Sequence, residues 1–247
     1  MTDEATADFG FRTVPAAEKA GLVRRVFDSV APRYDVMNDL MSLGIHRIWK
    51  RIFVRAIGAG PRQALLALAA GTGDVGLLAR EWGAGAVVLS DINAAMLSRG
   101  RDRALERGLV EGVSFVVADA ERLPFPDRAF DRVSMAFGLR NCTDKDAVLR
   151  EMRRVLKPGG RALVLEFSAF RIAALAPLYD AWSFRVLPAL GERVAKDGES
   201  YRYLAESIRT FPDQQRLEEM FRSAGFSRVS HRNLSGGIVA IHSGWRI

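Results

Sequence analysis

The segment Ala64–Asp74 constrains this chain more than any other: an apolar run, Ala64–Ala69, empties into Gly71-Thr72-Gly73-Asp74 and then into an apolar pattern of helical period through Trp82. Strand, glycine turn and helix in direct succession is the unit of a parallel sheet, because two parallel neighbours need a crossover between them. The unit repeats. Ala86–Ser90 ends at Asp91 and precedes a helix from Ala94 to about Arg107, and Val113–Ala118 ends at Asp119. Arg132–Phe137 leads through Gly138 into a helix ending near Leu156, which Lys157-Pro158-Gly159-Gly160 stops before the strand Arg161–Phe167. The chain closes with a helix over Asp213–Ala224 and two further strands, Phe226–Arg232 and Ile238–His242, around Ser235-Gly236-Gly237. The pattern predicts a doubly wound α/β fold, its seven-stranded sheet mostly parallel with a C-terminal antiparallel strand.

Residues 1–21 lack sustained periodicity and read as a mobile arm or a loosely docked lead-in, followed by a single domain over 22–247. Within it, helical spacing at Leu22–Val30 and at Ile45–Ile57 places N-terminal helices inside 22–60. An aromatic and proline-containing insertion at 168–212, with a helix at Tyr201–Arg209, is expected to cover the substrate site. A chain of 247 residues buries a core without staples, and Cys142, its one cysteine, points to a reducing, cytoplasmic setting. No stretch approaches the ~20 apolar residues of a membrane span, so any membrane contact is expected to be peripheral. The net charge of +7 comes from scattered residues with no interleaved aromatic stripe, so no nucleic-acid partner is expected. His46, His231 and His242 lack ligand-like spacing, and no metal site is expected.

In an open α/β sheet, ligands bind beyond the carboxyl ends of the strands, where the strand order reverses. Asp74, Asp91 and Asp119 all stand at or just after such ends. Gly71 and Gly73 let the backbone turn tightly and approach a ligand, and Asp91, followed by Ile92, comes twenty residues later, where a carboxylate accepts from both hydroxyls of a ribose. Asp119-Ala120 puts a carboxylate and a backbone N–H where an adenine edge is read. The segment Gly71–Gly76 also matches the G-x-G-x-x-G pattern of dinucleotide sites. Asp74 argues against pyrophosphate, which needs uncompensated amides, and suits the ammonium and sulfonium of S-adenosylmethionine. A plain turn explains the glycines but not three acidic strand ends in register.

Several longer strings resemble the ubiquinone/menaquinone biosynthesis C-methyltransferase family (UbiE-like): Val26–Ala31 leading into Tyr34–Ser42, Gly44-Ile45-His46-Arg47 with Trp49-Lys50, Phe137-Gly138-Leu139-Arg140-Asn141, Leu156–Gly160, and Ser200–Ile208. The resemblance runs from about Val26 to the C-terminus. It implies a class I, Rossmann-like methyltransferase that moves a methyl group from S-adenosylmethionine to a ring carbon of a polyprenylated benzoquinol or naphthoquinol. The family's cofactor positions fall on Thr72, Asp91, Asp119-Ala120 and Ala136, the last often Ser in similar proteins. Ala67 departs from the pattern, because similar proteins usually carry Asp there. Loss of that carboxylate is expected to weaken cofactor binding by about 1–3 kcal/mol if the position is buried and paired.

Methylating carbon requires electron density from an ionised ring hydroxyl, and a buried phenolate requires a cation or donor beside it. Arg140 is the candidate, with Asn141 orienting the second ring oxygen. Tyr34 and Asn38 are expected to close the pocket, and Asp39 or His46 to relay the proton. Residues around Met41–Phe53 and Leu175–Leu190 are candidates for the entrance of the polyprenyl tail. Peripheral contact with the inner membrane, a homodimer and a quinone-biosynthesis complex all stay open on sequence alone. So does a non-catalytic binding or assembly role, which Ala67 would favour. An RNA methyltransferase would fit the net charge but leaves Gly138–Asn141 and Tyr201–Leu204 unexplained.

Overall fold

A computed structural model describes residues 5–30, 39, 42–169 and 198–247. The run Ala64–Leu68 forms β3, and its side chains alternate between two buried faces. Leu65 and Ala67 join one apolar cluster, while Leu66 and Leu68 join the other. A strand buried on both sides reads as a continuous apolar run, which is why the segment was legible. The neighbours are β4 (Ala86–Asp91), β5 (Val113–Val117), β6 (Phe130–Ala136) and β7 (Leu156–Phe167), all parallel, with β8 (Ser227–Leu234) and β9 (Val239–Trp245) closing the sheet. The order is β5-β4-β3-β6-β7-β9-β8, and β9 runs antiparallel to both of its neighbours. The chain winds from β3 outward to β5, then crosses back to β6, so the order reverses between β3 and β6. That is where a doubly wound sheet opens a ligand crevice.

Helices α2 (His46–Ile57), α3 (Asp74–Glu81) and α4 (Ala94–Glu106) pack on the first cluster, and α5 (Lys145–Val155) and α7 (Gln214–Ser223) on the second. The Asn93 side chain caps α4 by accepting from the amides of Ala95 and Met96, and Asp144 and Asp213 cap α5 and α7 in the same way. The Lys157–Gly160 turn is taken into β7 as irregular strand. The Gly159 amide donates to the Arg246 carbonyl and the Arg246 amide to that of Gly160, so regular pairing with β6 resumes at Arg161.

The N-terminal segment differs from the expected mobile arm. Strands β1 (Thr6–Phe9) and β2 (Arg12–Pro15) form a hairpin, and α1 starts at Ala16 and runs to Val30. Phe9 is buried and stacks on Tyr203 of α6 (Gly198–Arg209), ring centroids 4.2 Å apart. Strands of four residues are too short for their period to show, and their partner lies almost two hundred residues away. The helix expected at Tyr201–Arg209 is α6. The rest of the expected insertion, residues 170–197, lies outside the described residues. Truncating Phe9 to Ala should cost the hairpin about 3 kcal/mol of local stability. Amide exchange at residues 6–15 should then accelerate by about two orders of magnitude, and unchanged protection would contradict this packing.

Candidate active site

Asp91 ends β4 at the reversal point. Its Oδ2 accepts from the Gly71 amide and its Oδ1 from the Asn93 amide, each at 2.8 Å. Burial pushes its pKa above the ordinary carboxylate value, against the opposing pull of those amides. Each oxygen keeps a lone pair for a further donor, the requirement for holding two ribose hydroxyls. Gly71 (φ 55°) and Gly73 (φ 86°) occupy the left-handed region, and a Cβ at Gly76 would come within 2.3 Å of Leu89 Cδ2. The turn therefore brings bare backbone to the crevice and seats α3 tightly on β4.

A cleft of about 300 Å³ opens there. Its lining includes Asp91, Ile92, Asp119, Ala120 and Asn141, together with Val23 and Phe27 of α1. Asp119 is exposed and its Oδ1 accepts from the Glu121 amide at 2.9 Å. A smaller cleft of about 50 Å³ is lined by His46, Lys50, Thr72, Asp74 and Arg140. Phe27, Ala69, Ala136 and Phe137 line both, so these residues mark the junction. Ala69 (φ 45°) and Phe137 (φ 57°) hold left-handed backbones without being glycine, a strain that persists where surrounding structure imposes it. Size, a bare glycine turn and an acceptor carboxylate together fit an adenosyl ligand in the larger cleft.

The smaller cleft is an ordered charge network. Asp74 accepts from Lys50 Nζ at 2.6 Å and from Arg103 at 2.8 Å, and Arg103 also donates to Thr72 Oγ1 at 2.7 Å. Burial opposes ionisation of Asp74, but Lys50 and Arg103 outweigh it and hold the carboxyl below its usual range. Both Asp74 oxygens are thus engaged by cations of the chain itself. His46 is buried, with Nδ1 2.8 Å from the Ser42 hydroxyl and 3.7 Å from Asp39 Oδ1. Asp39 receives two bonds from Arg47, at 3.0 and 2.7 Å, which keep its pKa low. Burial, aided by Lys50, pushes His46 below the ordinary histidine value, leaving it neutral at physiological pH.

Arg140 sits in the 3₁₀ turn Leu139–Asn141. It donates to Glu166 at 2.8 Å and to the Phe137 carbonyl at 2.6 Å, and lies 5.4 Å over the Phe167 ring, while its Nε has no partner. Asn141 Oδ1 accepts from Tyr203 Oη at 3.1 Å. Ala67 is buried beside Ser134 in the β3–β6 register, and the Ser134 hydroxyl has no partner either. Tyr34 and Asn38 lie outside the described residues. His231 and His242 bond Glu218 and the Gln214 carbonyl instead of lining either cleft. No group of three His, Cys, Asp or Glu able to hold a metal occurs among the described residues. Cys142 lines the larger cleft with its thiol pKa pushed by burial to about 12, far from a nucleophile's.

Sequence reasoning gave no role to Lys50, Arg103, Glu166 or Tyr203. Glu166 left one signal, an acid inside the apolar strand Leu163–Phe167. Lys50 left another, a cation on the buried side of α2 next to Trp49.

The fold and the joined clefts define a class I methyltransferase that uses S-adenosylmethionine. Two solved S-adenosylmethionine-dependent methyltransferases share the fold, one from Thermotoga maritima (TM-score 0.63, 18% identity, 91% of this chain and 100% of that one) and one from Aquifex aeolicus (0.59, 15%, 86% and 98%). Residues 4–246 match the ubiE/COQ5 methyltransferase family, and this chain belongs to that family. It is 63% identical over 246 residues to the ubiquinone/menaquinone biosynthesis C-methyltransferase UbiE of Acidiphilium cryptum, covering 100% of this chain and 99% of that protein. It is 58% identical over 244 residues to the protein of that name from Xanthomonas campestris pv. campestris, covering 98% and 96%.

Glu166 is 1% exposed, and removing one partner of a buried ion pair strands the other charge. Glu166→Gln should therefore lower the unfolding free energy by about 3 kcal/mol in urea titrations, and adding Arg140→Met should recover part of the loss. A stability within ~0.5 kcal/mol of the parent would show that the pair carries no such role.

Proposed function

We propose that this chain transfers the methyl group of S-adenosylmethionine to a ring carbon of a polyprenylated benzoquinol or naphthoquinol, the type of step after which its relatives are named. The observation that carries this reading is the smaller cleft, where Arg140 brings a buried guanidinium with an unused N–H to a lining that includes Phe167 and Phe137, the latter shared with the larger cleft. When bound, S-adenosylmethionine supplies an electrophilic methyl group. The chain's part is to hold the ligand by Asp91, Thr72 and Asp119-Ala120, and to make the ring carbon nucleophilic.

Glu166 fixes the Arg140 guanidinium, and Nε–H donates to the ionised ring oxygen, offsetting its desolvation. Tyr203 occupies Asn141 Oδ1, which leaves the amide nitrogen as the donor to the second ring oxygen. His46, neutral and oriented by Ser42, accepts the proton that the ring gives up, and Asp39 at 3.7 Å stabilises the resulting imidazolium. Phe27 and Phe137 keep water from the junction.

The test is turnover with a short-tailed demethyl quinol under reducing conditions, product read by mass. Arg140→Ala should bind S-adenosylmethionine within about twofold and lose at least ~100-fold in kcat. His46→Gln should remove an acid limb of kcat that lies below pH 6.5. Methylation elsewhere than a ring carbon, or undiminished kcat in both variants, would contradict the reading.

No helix among the described residues is long and apolar enough to cross a membrane. A tail-bearing substrate must nevertheless be collected from lipid. Leu43 (71% exposed), Ile45 and Ile48 (56%) stand out from the start of α2 next to exposed Arg51, an apolar and basic edge suited to an anionic headgroup layer. The protein should float with anionic liposomes and Ile48→Glu should not; equal flotation of both would remove this edge from the docking surface.

A further inference from the structure

We propose that Lys50, with Thr72, reads the α-carboxylate of the cofactor's amino-acid end, while Asp74 and Arg103 act as positioning residues that aim the two donors. The proposal rests on S-adenosylmethionine occupying the joined clefts. Asp91 fixes the Gly71 amide, so a ribose held by Asp91 directs the rest of the ligand over Gly71 to the next residues, Thr72 and Asp74. The smaller cleft begins there, and Lys50 and Thr72 both line it.

Its charge decides which end of an amino acid it takes. Asp74 is the one carboxylate among the described lining residues. Lys50 engages one of its oxygens and Arg103 the other, so the three groups together carry a single surplus positive charge. An ammonium would meet repulsion; a carboxylate would bring the cluster to neutrality. Hydrogen-bond supply agrees. An ammonium has three N–H donors, and among the described residues Asp74 is the bonded acceptor of Lys50, which leaves two donors. The Thr72 hydroxyl oxygen accepts from Arg103, so its own proton is turned to a different acceptor. Lys50 is only 12% exposed at its side chain, and a charge-assisted bond in such a site is about twice as strong as a neutral one. This inverts the sequence-based expectation in which Asp74 faces the ligand's ammonium: its charge is already met from within the chain.

The competing role for the same residues is purely structural, with Asp74 joining α2, α3 and α4. Calorimetric titration separates the two. S-adenosylhomocysteine keeps the carboxylate, 5′-methylthioadenosine lacks the whole amino-acid end, and decarboxylated S-adenosylmethionine keeps the ammonium alone. Lys50→Gln should weaken S-adenosylhomocysteine at least tenfold, leave 5′-methylthioadenosine within twofold, and abolish the parent's preference for S-adenosylmethionine over its decarboxylated form. Lys50→Arg should restore most of the loss. Equal losses on S-adenosylhomocysteine and 5′-methylthioadenosine would make Lys50 a structural residue and overturn the proposal, as would a parent that binds S-adenosylmethionine and its decarboxylated form alike. Failure of the parent to bind any adenosyl ligand would overturn the cofactor reading itself.

Discussion

One carboxylate organises the crevice. Asp91 accepts from Gly71 at the end of β3 and from Asn93 at the start of α4, so it joins two strand-end loops across the centre of the sheet. Its burial disfavours the charged form and raises its pKa, while backbone amides, those of Asn93 and Gly71 among them, pull the other way. Asn93 extends the bracing, since its side chain caps α4 and also donates to Asp28 of α1 at 2.7 Å. A helix that lines the larger cleft is thereby tied to a carboxylate that lines it too. The glycine turn, the larger cleft and the position of Thr72 all follow from this arrangement.

Beyond Thr72 the chemistry passes to charges that the chain neutralises internally. Lys50 and Arg103 meet Asp74, Glu166 meets Arg140, and Arg47 meets Asp39. Each pairing fixes a long side chain that would otherwise sample many rotamers, and two of them leave particular donors over: the remaining N–H groups of Lys50 and Nε of Arg140. Preorganisation of this kind lets a site stabilise charge without reorienting at the moment of reaction. It also bears on Ala67. Position 67 carries no carboxylate, and the adjacent Ser134 hydroxyl has no partner, yet the cations around Asp74 hold the neighbouring wall in place.

What could be read from the residues was whatever is local. Ala64–Leu68 and its neighbours announce themselves through apolar runs, and Gly71, Gly73 and Asp91 through spacing, because backbone sterics and sheet geometry act over a few residues. The hairpin at residues 6–15 did not, since strands of four residues carry no measurable period and Phe9 finds Tyr203 only in three dimensions. The same holds for the site. Glu166 and Arg140 are neighbours because β7 lies beside β6, and Arg103 in the third turn of α4 reaches Asp74 at the start of α3. Asp74 and Arg140 were legible as residues but not as pairs, so their charge was assigned to ligands when much of it belongs to the chain.

The central claim is that a ribose is held at Asp91 and that the amino-acid end of the ligand lies in the smaller cleft. A structure of the complex with S-adenosylhomocysteine tests it directly. Both ribose hydroxyls should stand about 2.5–3.0 Å from the Asp91 oxygens, with the homocysteine end beyond Gly71. Adenosine bound away from Asp91, or lying in the reverse direction along the clefts, would contradict the account.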